Sequence, residues 1–145
     1  MPLLQASFKD VSDKFVDVGA GIYTLRILGV TREASKNPEV LAKDPGATNL
    51  IVEHEVVDSG DWQGRKKTRH ISLKMLTEIK RLAMSCGITK EKIEKDGLDP
   101  ESELPGKTCR AEIRPNVYQD KATGAMRENS QIANYLIPGD PQYSV

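Results

Sequence analysis

The sequence predicts a mainly β domain, a five-stranded OB-type barrel with one α-helix between strands 3 and 4. Three observations carry that expectation. Five segments show the period-two alternation of half-buried strands, and one strongly amphipathic helix falls after the third. The connections then run as a long loop, a hairpin turn, the helix and a second hairpin turn. Alternation alone also fits a β-sandwich with one packed helix. The order of elements favours the barrel, which requires strand one to lie beside strand four.

Each element follows from local chemistry. Residues 8–17 mix Phe8 and Phe15 with alternating charges and read as an irregular lead-in or a short helical turn. Gly19-Ala20-Gly21 releases the first strand, Ile22 to Val30, rich in β-branched and aromatic residues, with Tyr23, Leu25 and Ile27 on one face. Thr31 to Thr48 contains Pro38, Pro45 and Gly46 without a strand period, and loops of that length are functional or disordered. In the second strand, Leu50, Val52, His54 and Val56 alternate against Ile51, Glu53, Glu55 and Val57. Asp58 to Gly64 has turn chemistry, so Arg65 to Leu73 returns antiparallel. Lys67 and Arg69 then share a side with Ile71 and Leu73, while Lys66 and His70 take the other. Charge on a core face only at its start suggests a strand that projects beyond the barrel end.

Met75, Leu76, Ile79, Leu82, Ala83 and Cys86 recur at helical spacing, Gly87 ends the run, and Ser72 is the expected N-cap. Thr89 to Asp96 adds a short polar helical turn, and Asp99-Pro100 with Leu104-Pro105-Gly106 reads as a linker. From Lys107 to Arg114, Cys109, Ala111 and Ile113 point inward. Pro115, without an N–H, marks an edge or bulge. Val117-Tyr118 forms a hairpin arm with its turn at 119–124, and Met126 to Leu136 is the last strand. The resulting organisation is a lead-in at 1–18, a barrel domain at 19–137 and a loose tail at 138–145.

Composition bounds the function. At 145 residues and 38% hydrophobic content the chain can close one core. No apolar run approaches the roughly 18 residues of a membrane span, and the N-terminal residues lack signal-peptide character, so no membrane partner is expected. Two cysteines, Cys86 and Cys109, form neither a CxxC pair nor a disulfide framework, which fits a reducing cytoplasm. Catalytic signatures are missing: there is no Walker A sequence, HExxH or GxSxG, and Gly19-Ala20-Gly21 opens a strand rather than a dinucleotide-binding helix. His54 and His70 lie on adjacent expected strands, but a metal centre would need further ligands. The chain reads as non-enzymatic and without cofactor.

The 21 basic and 21 acidic residues cancel in total but not locally. Residues 1–61 carry a net charge of −4, residues 62–85 carry +6, residues 86–106 carry −3 and residues 107–145 carry +1. A concentrated basic segment suits an extended polyanion. Single-strand grooves combine cations that follow phosphates with aromatic faces on which bases stack. Arg65, Lys66, Lys67 and Arg69 on the third strand, with Arg110 and Arg114 on the fourth, are the candidate cations. Trp62 and Tyr118 are the candidate stacking residues, although Trp62 equally fits a plug over the barrel mouth.

Phe8-Lys9-Asp10-Val11 followed by Gly21-Ile22-Tyr23 resembles the opening of a group of small phage proteins. Val57-Asp58-Ser59-Gly60-Asp61-Trp62-Gln63-Gly64-Arg65 is similar to their hairpin, and the likeness continues through Leu104-Pro105-Gly106-Lys107 and Tyr118-Gln119-Asp120 before Gly124. Members are regarded as OB-fold single-stranded-DNA-binding proteins encoded with replication and recombination genes. The resemblance implies non-catalytic binding of single-stranded DNA in phage replication or recombination, in the host cytoplasm, with replication or recombination proteins as possible partners. Unlike many single-strand-binding proteins, this sequence has no acidic run in its final residues, Gly139 to Val145. The alternatives are a protein-interaction or virion scaffold, an RNA-binding OB module and, last, a small metal hydrolase using His54 and His70.

Overall fold

The computed structural model describes residues 18–140; the expected lead-in before residue 18 and the last five residues of the expected tail lie outside the described residues. Five strands, β1 (Gly21–Ala34), β2 (Thr48–Val56), β3 (Lys66–Ser72), β4 (Thr108–Gln119) and β5 (Met126–Leu136), form one sheet in the order β3-β2-β1-β4-β5. Every neighbouring pair is antiparallel, and β1 lies between β2 and β4. The helices are α1 (Pro38–Lys43), α2 (Leu76–Ser85), α3 (Lys90–Asp96) and α4 (Pro100–Glu103).

Alternation places the core as the sequence implies. Leu25 and Ile27 on β1, Leu50, Val52 and Val56 on β2, and Cys109, Ala111 and Ile113 on β4 are all buried. Across this face lies α2, which packs on β4 and β5 and buries Ile79, Leu82 and Ala83. Gly87, in the left-handed region at φ 92°, ends α2 by donating its N–H to Met84 O. A bulge between Ile27 and Gly29 shifts the β1–β2 register by one residue and brings Val30 onto the buried face.

Several expectations need correction. The helix between β3 and β4 is present, but α3 and α4 follow it before β4, and α1 precedes β2, so one helix is too few. The segment 31–48, expected as a loop, instead extends β1 to Ala34 and then forms α1. Asn37 caps α1 by accepting the Glu39 N–H at 3.0 Å, with Pro38 in the first turn, where its missing N–H costs nothing. In place of a linker at Asp99-Pro100 stands α4, tied to β1 by an Arg32–Glu101 ion pair. Ser72 is not the cap of α2. Leu73 N–H still bonds to Thr48 O at 3.0 Å, which holds the chain on β2 and delays the helix to Leu76. Val117 and Tyr118 continue β4 without a break.

The two sheet edges, β3 and β5, meet through side chains. His54 is fully buried on β2; its Nδ1 lies 2.9 Å from Lys67 O and its Nε2 lies 2.9 Å from the Tyr135 hydroxyl. A carbonyl only accepts, so Nδ1 carries the proton and Nε2 accepts from Tyr135. Lys67 Nζ donates to Ser130 O at 2.7 Å, and the Arg69 guanidinium lies over the Tyr135 ring at 5.0 Å. Lys67 and Arg69 do point to the core side, but β3 does not project past the sheet end to accommodate them. They fill the gap between its two edges.

Burial, with the charge of Arg69 nearby, pushes His54 down to about 4. Because the folded pKa lies below the free value of 6.5, the fold prefers the neutral ring. This contribution is complete above pH 6.5 and is lost as pH falls towards 4. The loss should reach about 3 kcal/mol from the size of that shift. Urea denaturation across pH 7 to 4 should show the decline, and His54→Gln should remove most of the slope between pH 6.5 and 5.

Candidate nucleic-acid interface

The eight candidate residues divide into three groups. The first is structural. Arg69, half-buried, donates to Glu78 on α2 at 3.1 Å and covers Tyr135; Lys67 reaches across to β5. Trp62, in the turn after β2, packs against the core, and a Cβ placed on Gly19 would lie 3.5 Å from its Nε1. That is the position of a plug over one end of the core, held between the turn and the start of β1. Tyr23, beside it, donates its hydroxyl to Gly19 O at 2.8 Å.

The second group is the exposed start of β3. Arg65 and Lys66 face solvent, but Lys66 stands opposite Glu55, itself ion-paired to Arg26 at 3.8 Å. Glu53 is also exposed on this outer face. The basic run at 65–69 is therefore not a single basic surface: two of its four cations turn inward, and β2 sets Glu55 opposite Lys66.

The third group lies on β4. Arg110 is half-buried; Ser85 Oγ accepts its N–H at 3.0 Å and donates to its carbonyl at 3.1 Å, and its Nη1 lies 3.4 Å from Thr24 Oγ1. β1 begins opposite Ile113, so beyond that point β4 pairs with β5 alone and the two form an arm. Arg114, Asn116 and Tyr118 alternate onto one face of the arm. The Arg114 side chain is 63% exposed and pairs with Glu112 at 2.8 Å; Tyr118 is 42% exposed. Asn116 Nδ2 donates to Asn129 Oδ1 on β5 at 3.2 Å. The turn at the tip is closed by Asp120, whose N–H bonds to Ala125 O and whose carbonyl accepts from Gly124.

The two histidines do not assemble. His54 points inward, whereas His70 is exposed on the opposite face of the sheet. No cluster of three or more His, Cys, Asp or Glu suited to a metal ion occurs among the described residues. An open cavity of about 490 Å³ lies between α3, α4 and the start of β4, lined by Thr89, Lys92, Ser102, Glu103 and Lys107 among others. Its Lys92 is already paired with Glu103. No helix among the described residues is long and apolar enough to cross a membrane. No protein-family model and no curated protein matches this chain.

The face assignment of Lys67 and Arg69 is legible from alternation; their partners on β5 and α2, 63 positions from Lys67 in the case of Ser130, are not.

The division predicts opposite effects on stability. Arg69→Ala removes the Glu78 pair and uncovers Tyr135, and should cost about 1–3 kcal/mol. Lys66→Ala, exposed, should change stability by less than about 0.5 kcal/mol. Parallel urea titrations of the two variants at pH 7 check this.

Proposed function

We propose that this chain binds single-stranded DNA without catalysis, on the arm formed by β4 and β5. The single observation carrying this reading is the row of Arg114, Asn116 and Tyr118 on one exposed face of that arm. It joins a cation, an amide and an aromatic ring on a strand rising about 3.3 Å per residue, so the row spans roughly 13 Å. The Arg114–Glu112 pair is no barrier, since exposed ion pairs contribute little and a phosphate can compete for the guanidinium. Arg65 and Lys66 extend the cationic surface from the β3 edge.

We read the sheet as an OB-type barrel. Its strand order, the helix α2 between β3 and β4, and the side-chain closure of β3 onto β5 support that reading. The resemblance to phage single-stranded-DNA-binding proteins supports a role in phage replication or recombination, in the host cytoplasm. A second reading, a protein-interaction component, is favoured by the opposite face of the arm. There Val117 is 60% and Met126 67% exposed, and pairing of Gln119 with Met126 puts both on one side.

Fluorescence titration with oligo-dT should show salt-dependent binding. Arg65, Lys66 and Arg114 each replaced by Ala should reduce the log–log salt slope by about 0.7 per lost phosphate contact. Tyr118→Ala should cost roughly 1–3 kcal/mol and leave that slope unchanged. A folded protein that fails to bind oligo-dT overturns the reading. Equal binding of oligo-U would redirect it to RNA, and concentration-dependent self-association abolished by Val117→Ser would favour the protein-interaction role.

A further inference from the structure

Cys86 and Cys109 are separated by the whole of α3 and α4, yet the fold places them together. Ser85, at the end of α2, makes two hydrogen bonds with the backbone of Arg110, accepting its N–H and donating to its carbonyl. This clamp sets the next residue of α2's end, Cys86, against the preceding residue of β4, Cys109, and both thiols lie in the same apolar cluster. The two thiols lie close enough to influence each other's protonation. They differ in access: Cys109 is 2% exposed, whereas Cys86 is half-buried and reachable from solvent. Cys86 is also the C-cap of α2, followed by Gly87 in the left-handed region. A disulfide requires the two sulfurs to close to about 2.05 Å.

We propose that Cys86 and Cys109 form a peroxide-reactive dithiol site, Cys86 as the attacking thiol and Cys109 as the resolving one, whose oxidation fastens α2 to β4. In the first step the Cys86 sulfur attacks one oxygen of hydrogen peroxide. The O–O bond breaks, the second oxygen leaves as hydroxide and becomes water on taking the thiol proton, and Cys86 becomes a sulfenic acid. In the second step the Cys109 sulfur attacks the Cys86 sulfur, forming the S–S bond and expelling the sulfenic oxygen as water with the Cys109 proton. Two thiols lose two electrons together, and one peroxide becomes two waters. The asymmetry of the pair fits the order: the neighbouring Cys109 thiol, with the charge of Lys107, draws the Cys86 thiol below its ordinary value, while the same proximity and burial push Cys109 up. The thiol that solvent reaches and whose proton is the more easily lost reacts first. Its buried neighbour shields the sulfenic acid from further oxidation by capturing it.

Intact-mass measurement of the full chain after treatment with a small excess of hydrogen peroxide tests this. The expected product is a monomer 2 Da lighter, with both thiols lost to alkylation under denaturing conditions and restored by dithiothreitol. Cys109→Ala should instead stop at a dimedone-reactive species 16 Da heavier on Cys86, and Cys86→Ser should leave Cys109 alkylatable after unfolding. The oxidised wild type should also melt at a higher temperature than the reduced form, because the new bond closes the α3–α4 excursion onto the sheet. Overoxidation of Cys86 in the wild type, a disulfide between two chains, or two thiols still alkylatable after treatment would each overturn the proposal. The wild-type result decides even if the Cys109→Ala core truncation fails to fold.

Discussion

Tyr135 stands where the two edges of the sheet meet. It is fully buried on β5, donates its hydroxyl to His54 on β2, and offers its ring face to Arg69 on β3. Burial pushes its phenol up, so the group stays a donor and His54 stays neutral. β3 and β5 share no ladder, so nothing in the backbone hydrogen bonding holds them together. The imidazole, the phenol, the guanidinium and the Lys67 ammonium do so instead. Across the gap between the edges of this open antiparallel sheet, the His54–Tyr135 bond, the Arg69–Tyr135 stack and the Lys67–Ser130 bond stand in for a ladder. A network of this kind is costly if one member is lost, since buried polar groups then lack partners.

That constraint explains why the charge pattern misleads. A basic cluster on a strand suggests a polyanion surface, and half of this one is instead committed to contacts with β5 and α2. Lys67 and Arg69 are long enough to cross the gap and carry their charge to a carbonyl, a glutamate and an aromatic face. What is left for a ligand lies at the periphery: the start of β3 and the arm beyond Ile113, where β4 has left β1 and both of its faces are open. The arm is the more suitable of the two, because Glu55 stands opposite Lys66 on β3, whereas Arg114, Asn116 and Tyr118 share their face with Asn129 and Gln131 of β5.

The same packing that seats α2 also brings the two thiols together. Ser85 is an unremarkable residue in the sequence, a polar position at the end of an amphipathic helix. In the fold it bonds twice to the β4 backbone, and the neighbouring positions inherit their proximity from it. Cysteine spacing along the chain holds no trace of this.

Strand periods, the inward rows on β2 and β4, the α2 helix and its glycine stop, and the turn between β4 and β5 were all determined by the sequence itself. Each rests on side chains within a few residues of one another, where period and turn chemistry are decisive. Even the inward direction of Lys67 and Arg69 was legible. Their purpose was decided only by tertiary structure, because their partners lie on β5 and α2 and no local rule links them. The same holds for the separation of His54 from His70, for Trp62 as a plug beside Gly19, and for the late start of α2, where a hydrogen bond from Leu73 to Thr48 overrides the capping preference of Ser72. Local preference is worth about 1 kcal/mol for a cap. Long-range hydrogen bonds and burial of comparable or larger size are fixed only once the strands have met, and they decide which residues are left for function.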